Sequence, residues 1–190
     1  MLRFVVRIFY NGFSRSTQFG PVTVFVNSAG VGNVKPAIEL NKPNGAKILD
    51  ANLTGTWQMA QACARRMLAA QASGSIVKIP SIGGLRQNEG TLPYSLSKAG
   101  IVQLTQCLAL EWARRGIRVH AIAPGFFKKN PNAAFLDSDA GQAAVRRASQ
   151  RSPGQMHELD GPLLLLASEA GAFMTGSVVA IDGGYLVSSL

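Results

Sequence analysis

The sequence predicts an α/β fold built on a parallel, doubly wound sheet. Three observations carry that reading. Short unbroken apolar runs recur, as strands buried on both faces require. Between them lie long segments with apolar residues every three or four positions, the period of a helix packed along one side. The two patterns alternate, which implies βαβ crossovers, right-handed by the general rule, rather than hairpins. A chain of 190 residues suits one domain over 1–190 and can bury a core without a disulfide framework.

The first strand is Val22–Val26, an apolar run after Gly20-Pro21 that ends at Asn27-Ser28. Residues 50–71 read as a helix with Leu53, Trp57, Ala60, Ala64, Met67 and Leu68 on one stripe, stopped by Ser73-Gly74. Ser75–Ile79 is a second short strand. Residues 94–115 form a second long helix, with Ile101, Leu104, Leu108 and Trp112 along one face, Pro93 just before it and Gly116 after it. Ile117–Ile122 is a third strand, and Pro124-Gly125 turns the chain out. Residues 126–156 are mixed, a loop with a short helix around 140–148. A helix over 157–168 and a strand over 177–181 precede Asp182-Gly183-Gly184. In this class ligands bind beyond the carboxyl ends of the strands, so chemistry is expected after Val26, Ile79 and Ile122.

Composition narrows the function. The net charge of +9 is spread over Arg65-Arg66, Arg114-Arg115, Lys128-Lys129 and Arg146-Arg147, with no aromatic interleaving, which argues against nucleic acid. Arg114 and Arg115 sit at a helix C-terminus, where cations complement the macrodipole. No apolar run reaches the ~18 residues of a membrane span. Cys63 and Cys107 lack metal-ligand spacing and read as two buried thiols of a reducing, cytoplasmic compartment; no metal site is expected. The first 38 residues lack any acid and include Arg3, Arg7 and Arg15. That superficially resembles a transit peptide, but an abbreviated or misread reading frame explains it better.

Tyr94-Ser95-Leu96-Ser97-Lys98 opens the second long helix and places a phenol and an ammonium on one face at i and i+4. A free phenol, with a pKa near 10, works poorly as an acid or base at neutral pH. An ammonium about 4 Å away contributes roughly 4 kcal/mol at an effective dielectric of 20, which makes the pair a plausible general acid/base. Ser81, thirteen residues before Tyr94, follows the second strand at the same sheet edge, where its hydroxyl can bond a substrate carbonyl. Asn52 lies near the start of the first long helix. It suits a helix cap or a site holding a water that links Lys98 to solvent.

With these residues in place the chain resembles the short-chain dehydrogenase/reductase family from about Phe19 to Gly184. The matching pieces are Asn27-Ser28-Ala29-Gly30, Asn52-Leu53-Thr54-Gly55, Ser81 with Tyr94 and Lys98, Ile117 through Gly125, and the tail Leu165-Leu166-Ala167-Ser168, Thr175-Gly176 and Asp182-Gly183-Gly184. The resemblance implies that Tyr94 is the catalytic acid/base, that Lys98 tunes it and binds the nicotinamide ribose, that Ser81 positions the carbonyl or alcohol, and that Asn52 completes a proton relay. It implies a cofactor, NAD or NADP, lined by Asn27, Ala29 and Gly30, with the backbone around Pro124, Gly125 and Phe127 facing its carboxamide. It implies hydride transfer between that cofactor and a secondary alcohol or ketone, a substrate loop over 126–156, and a homodimer or homotetramer through helices 50–71 and 94–115. The tail is similar to that of 3-oxoacyl reductases and gluconate dehydrogenase-like members.

The sequence departs from the family where the pyrophosphate should bind. No TGxxxGxG turn is present, and Gly30-Val31-Gly32 follows a different strand and lacks the third glycine. The expectation is a partial Rossmann-type sheet lacking the first βα units, with residues 1–12 unmatched. Val22–Val26 would then be an open edge, which residues 4–9 could cover as a replacement strand. Smaller departures are Ser28, Lys78, Pro80, His120 and Lys128-Lys129. Two readings stay open: a functional alcohol/ketone oxidoreductase, or a catalytically impaired member acting as an association module.

Overall fold

A computed structural model of the chain describes residues 20–128 and 133–189. Residues 4–9, the suggested replacement strand, lie outside the described residues, as does Lys129.

Among the described residues, four parallel strands form one sheet in the order β1-β2-β3-β4: β1 (Val24–Asn27), β2 (Gly74–Lys78), β3 (Ile117–Pro124) and β4 (Val178–Ile181). The register sets Asn27, Lys78 and Ala121 side by side near the carboxyl edge. The expected parallel α/β sheet is therefore present. β1 starts two residues later than the apolar run, because Val22 is 41% exposed and pairing begins only where Ser75 N–H reaches Thr23 O.

Helix α1 (Lys42–Leu49) was not anticipated from the apolar pattern. Its signal is local: Asn41 caps it by accepting from Asn44 N–H, and Pro43 stands in the first turn. The expected helix 50–71 divides into a π-helical turn, Asp50–Thr54, and α2 (Gly55–Ala69). α3 (Leu92–Trp112) begins two residues before Tyr94, so Pro93 lies inside its first turn; a 3-10 turn, Ala113–Arg115, follows it. Gly116 ends that turn at φ 75°, the left-handed conformation for which glycine is the usual choice. The segment expected as one short helix holds two, α4 (Ala133–Leu136) and α5 (Asp139–Arg146), the latter capped by Ser138. The helix expected over 157–168 is a 3-10 turn, Met156–Leu159, running into α6 (Asp160–Ala167).

The core has two main layers. On one face Ala60, Cys63, Ala64 and Met67 of α2 and Leu108 and Ala109 of α3 pack on Ile76, Ile117 and Val119. On the other, Leu163 and Leu166 of α6 meet Val77, Ile122 and Val179. Five members of the expected stripes stay partly outside: Trp57 is 48% exposed, and Leu53, Leu68, Leu104 and Trp112 are only half-buried. Cys107 is exposed, correcting the expectation of two buried thiols. It lies on the outward side of α3 beside Leu110, whereas Cys63 faces the sheet. Burial pushes the Cys63 thiol up to about 11, with a smaller opposing pull from Arg66.

The expectation of uniformly right-handed crossovers fails. The strand order advances one way throughout, yet α2 and α3 cover one face and α6 the other. The third crossover is therefore opposite in hand to the first two. Its helix is tied down from below. Arg118 on β3 donates Nη1 to Leu166 O at 2.8 Å and Nη2 to Ser168 O at 3.0 Å, satisfying carbonyls at the end of α6. Among the described residues, no helix is long and apolar enough to cross a membrane.

Candidate active site

The sequence-predicted residues converge at the carboxyl edge of the sheet. Asn27 ends β1, with Ala29 and Gly30 in the loop that follows; Ser81 lies just past β2, and Pro124, Gly125 and Phe127 carry the chain out of β3. Tyr94 and Lys98 stand on the first turns of α3, which packs over the 3-10 turn Ile82–Gly84.

Lys98 is buried. Its Nζ lies 5.4 Å from the centroid of the Tyr94 ring and donates to Ile79 O at 3.2 Å. Ser81 accepts from Gly83 N–H at 3.1 Å. That bond occupies an oxygen lone pair and leaves the hydroxyl proton to donate elsewhere. A Cβ built on Gly83 would stand 3.4 Å from Tyr94 Cε1 and 3.5 Å from Ser81 Oγ, so phenol ring and serine hydroxyl flank one point.

Asn52 is fully buried in the π-helical turn and caps nothing. Its Oδ1 accepts from Val31 N–H at 2.8 Å, and its Nδ2 donates to Val31 O at 2.8 Å and to Ser97 Oγ at 2.9 Å. Ser97 in turn donates to Tyr94 O at 2.7 Å. Asn52 thus clamps the β1 exit loop to the start of α3. Both its amide N–H groups are committed, so a water at this side chain would bond to Oδ1. Neither Val31 nor Ser97 was singled out in the sequence. Val31 acts through its backbone, and a buried serine inside a helix carries no positional signature.

Whether a nicotinamide cofactor fits can be judged from the loop after β1. A Cβ at Gly30 would stand 3.1 Å from Lys98 Nζ and 3.4 Å from Asn52 Oδ1. The loop therefore offers bare backbone beside an ammonium, a donor set suited to a ribose diol. These residues fit the nicotinamide–ribose half of such a cofactor. Gly125 N–H bonds Ile181 O at 2.9 Å, which ties the β3 exit to the end of β4. Phe127 is buried, bridges to Gly154, and helps line a cavity of about 160 Å³ with Phe126, Val145 and Glu158. That cavity does not include Ser81, Tyr94 or Lys98 among its lining residues.

The tail contributes a support that the sequence pattern did not reveal. Asp182 accepts from Gly184 and Leu186 N–H, folding the chain so that Tyr185 is buried on Ile82, next to Ser81. Arg86 donates to Tyr185 O and lies 5.0 Å from the centre of its ring. The Tyr185 hydroxyl donates to Asn88 Oδ1 at 3.2 Å.

Two further buried groups lie on the central strands. Lys78 is fully buried, its Nζ has no hydrogen-bond partner, and burial lowers its pKa from 10.5 to about 7. His120 is lowered to about 4 by burial, then by Arg118 and Lys78. Its Nε2 meets Arg118 Nη1 at 3.0 Å, which suits a neutral ring accepting that bond. Among the described residues, no group of three or more His, Cys, Asp or Glu could hold a metal.

A family model described as enoyl-(acyl carrier protein) reductase matches residues 14–186. The chain is 33% identical to the 3-oxoacyl-(acyl-carrier-protein) reductase of Thermotoga maritima over 170 residues, covering 90% of this chain and 68% of that protein. It is 32% identical to the 2-dehydro-3-deoxy-D-gluconate 5-dehydrogenase of Dickeya dadantii, covering 89% of this chain and 67% of that protein. A gluconate 5-dehydrogenase from Burkholderia cenocepacia, solved with NADP and tartrate, superimposes with a TM-score of 0.87 at 30% identity over 93% of this chain and 69% of its own. A short-chain type dehydrogenase/reductase from Mycobacterium marinum gives a TM-score of 0.84 at 32% identity, over 90% and 68%.

Proposed function

The chain belongs to the short-chain dehydrogenase/reductase family, and from that premise we propose that it interconverts a secondary alcohol and a ketone at Tyr94, with NAD or NADP as partner. One observation carries the assignment: Tyr94 and Lys98 on α3, Ser81 after β2 and Asn52 in the π-helical turn come from three separate segments and meet at the carboxyl edge of the sheet.

In the reducing direction Tyr94 gives its hydroxyl proton to the carbonyl oxygen; in the oxidising direction it takes that proton back. Ser81, held by Gly83 N–H, donates a hydrogen bond to the same oxygen, keeps its proton, and fixes the substrate's attitude. Lys98 is anchored on Ile79 O beneath the tyrosine ring, where it supplies positive charge and would bind the cofactor's ribose. Asn52 holds the Val31 loop against this group and offers Oδ1 to a relay water. When bound, the cofactor supplies the hydride; Asn27, Ala29, Gly30 and the backbone of Pro124, Gly125 and Phe127 would hold its nicotinamide half.

The named relatives act on sugar acids and 3-oxoacyl groups, so those two classes are the first substrates to test. Association through α2 and α3 in the cytoplasm completes the proposal. Trp57, Leu96 and Leu110 lie on those helices and are 48%, 54% and 84% exposed, as an unburied helix–helix face would be.

The experiment is oxidation of NADPH and NADH by the purified chain with 5-keto-D-gluconate and with acetoacetyl-CoA. Turnover is expected with one of them, and Tyr94→Phe should lower kcat by at least ~100-fold. Turnover that survives this substitution would overturn the role given to Tyr94.

A further inference from the structure

We propose that Gly32 is a positioning residue for Tyr94, one wall of a two-glycine slot that sets the attitude of the phenol ring. The proposal rests on the reading of Tyr94 as the acid/base. A Cβ on Gly32 would stand 3.0 Å from Tyr94 Cδ2, 3.5 Å from Cε2 and 3.6 Å from Cγ. A Cβ on Gly83 would approach the opposite edge, 3.4 Å from Cε1 and 3.8 Å from Cδ1. Neither glycine has a positive φ, so space and not backbone conformation is what a side chain would violate.

Neither wall can retreat. The neighbour of Gly32, Val31, is held at both its N–H and its C=O by Asn52, itself buried and bonded to Ser97. Gly83 is buried in a 3-10 turn and bonded to Ser81. A methyl group at position 32 must therefore be accommodated by the ring, which shifts by a few tenths of an ångström towards Gly83. Ring and hydroxyl move together, so the phenol leaves its position relative to Ser81. A displacement of about 1 Å near a reacting group can cost roughly 100-fold in rate, and a fraction of that displacement is expected here. Gly32 is itself exposed, so the change should leave the fold intact.

Two measurements test this. In the turnover assay, Gly32→Ala should lower kcat about tenfold while the KM for NADPH stays within about twofold; Gly32→Val should lower kcat further. Gly45→Ala and Gly161→Ala, where a Cβ meets nothing within 4 Å, should match the parent, and thermal unfolding should show Gly32→Ala still folded. Independently of turnover, the chain's three tyrosines can be replaced by 3-fluorotyrosine, with the Tyr94 fluorine resonance assigned through Tyr94→Phe. Gly32→Ala should move that resonance, and Gly45→Ala should not. A parental kcat in Gly32→Ala overturns the proposal. So does a fall in kcat with an unmoved resonance, which would mean that the methyl obstructs substrate instead. If the parent shows no turnover, or Tyr94→Phe keeps it, the catalytic reading fails, and the resonance alone decides whether the slot holds the ring.

Discussion

Lys78 shows how much one side chain can set the conditions under which this fold is stable. An unpaired ammonium inside a protein is costly, and the group responds by giving up its proton. Unfolded, Lys78 keeps that proton to about 10.5; folded, it releases it near 7. Between those values the unfolded chain binds more protons, so stability should rise as pH climbs from about 7 towards 10.5. His120, lowered from 6.5 to about 4, adds a smaller rise between those two values. Lys78→Met should stabilise the chain at neutral pH by roughly 2–4 kcal/mol and flatten the alkaline part of the curve. Urea unfolding of both chains across pH 6–10 would read this, and equal pH profiles would refute it. The acid/base pair and its serine were legible because each needs a particular side chain at a particular spacing. Asn52 was legible as a site residue but not in its geometry, since its partners are the backbone of Val31 and a serine 45 positions away. The exposure of Cys107 was misjudged because α3 is apolar on both sides.

Among the elements, α6 is held at its C-terminal end by side chains of the strands beneath it, Arg118 above all. Only eight residues long, it ends with carbonyls that Arg118 satisfies from the strand beneath it. Arg118→Ala should remove two charge-assisted bonds, leaving Leu166 O to the Ser75 hydroxyl and Ser168 O to Gly171 N–H, and cost about 1.5–3 kcal/mol, seen as a lower urea midpoint with an unchanged slope. Arg118→Lys should recover little of the loss, since a point charge cannot reproduce a two-pronged fork. The same change to alanine removes a positive charge from beside His120, whose pKa should move back up. A midpoint equal to the parent's would refute the capping role. This dependence was invisible in the sequence, where Arg118 reads as one more basic residue on a strand. The apolar period of α2 and α3 was legible, but the π-helical turn before α2 was not. Leu53 alone of the apolar stripe lies in that turn, so the spacing carries no mark of it.

For the molecule as a whole, the order of strands and helices could be read in advance because parallel strands are apolar throughout and helices are striped. The hand of the last crossover could not, because it turns on which face receives α6, and Leu166 and Arg118 decide that only in three dimensions. At this scale the nicotinamide half-site is tested by cofactor binding. A ligand at one hundred times its dissociation constant stabilises a protein by about 2.7 kcal/mol, a shift of several degrees in a chain of this size. NADPH or NADH at millimolar concentration should therefore raise Tm. No shift with either would leave association through α2 and α3 as the better reading of this chain.

The seating of Tyr185 beside Ser81 has a consequence for how the protein is made. β1, β2 and β3 have all been translated long before residues 185–188 are joined to the chain, yet the loop that carries Ser81 and Arg86 is braced by Tyr185 and Ser188. A ribosome that stalls near Gly176 releases a chain with most of the sheet but without that brace. Competence is thus withheld until residues 185–188 have been made, and products terminated before them would be inert rather than half-active.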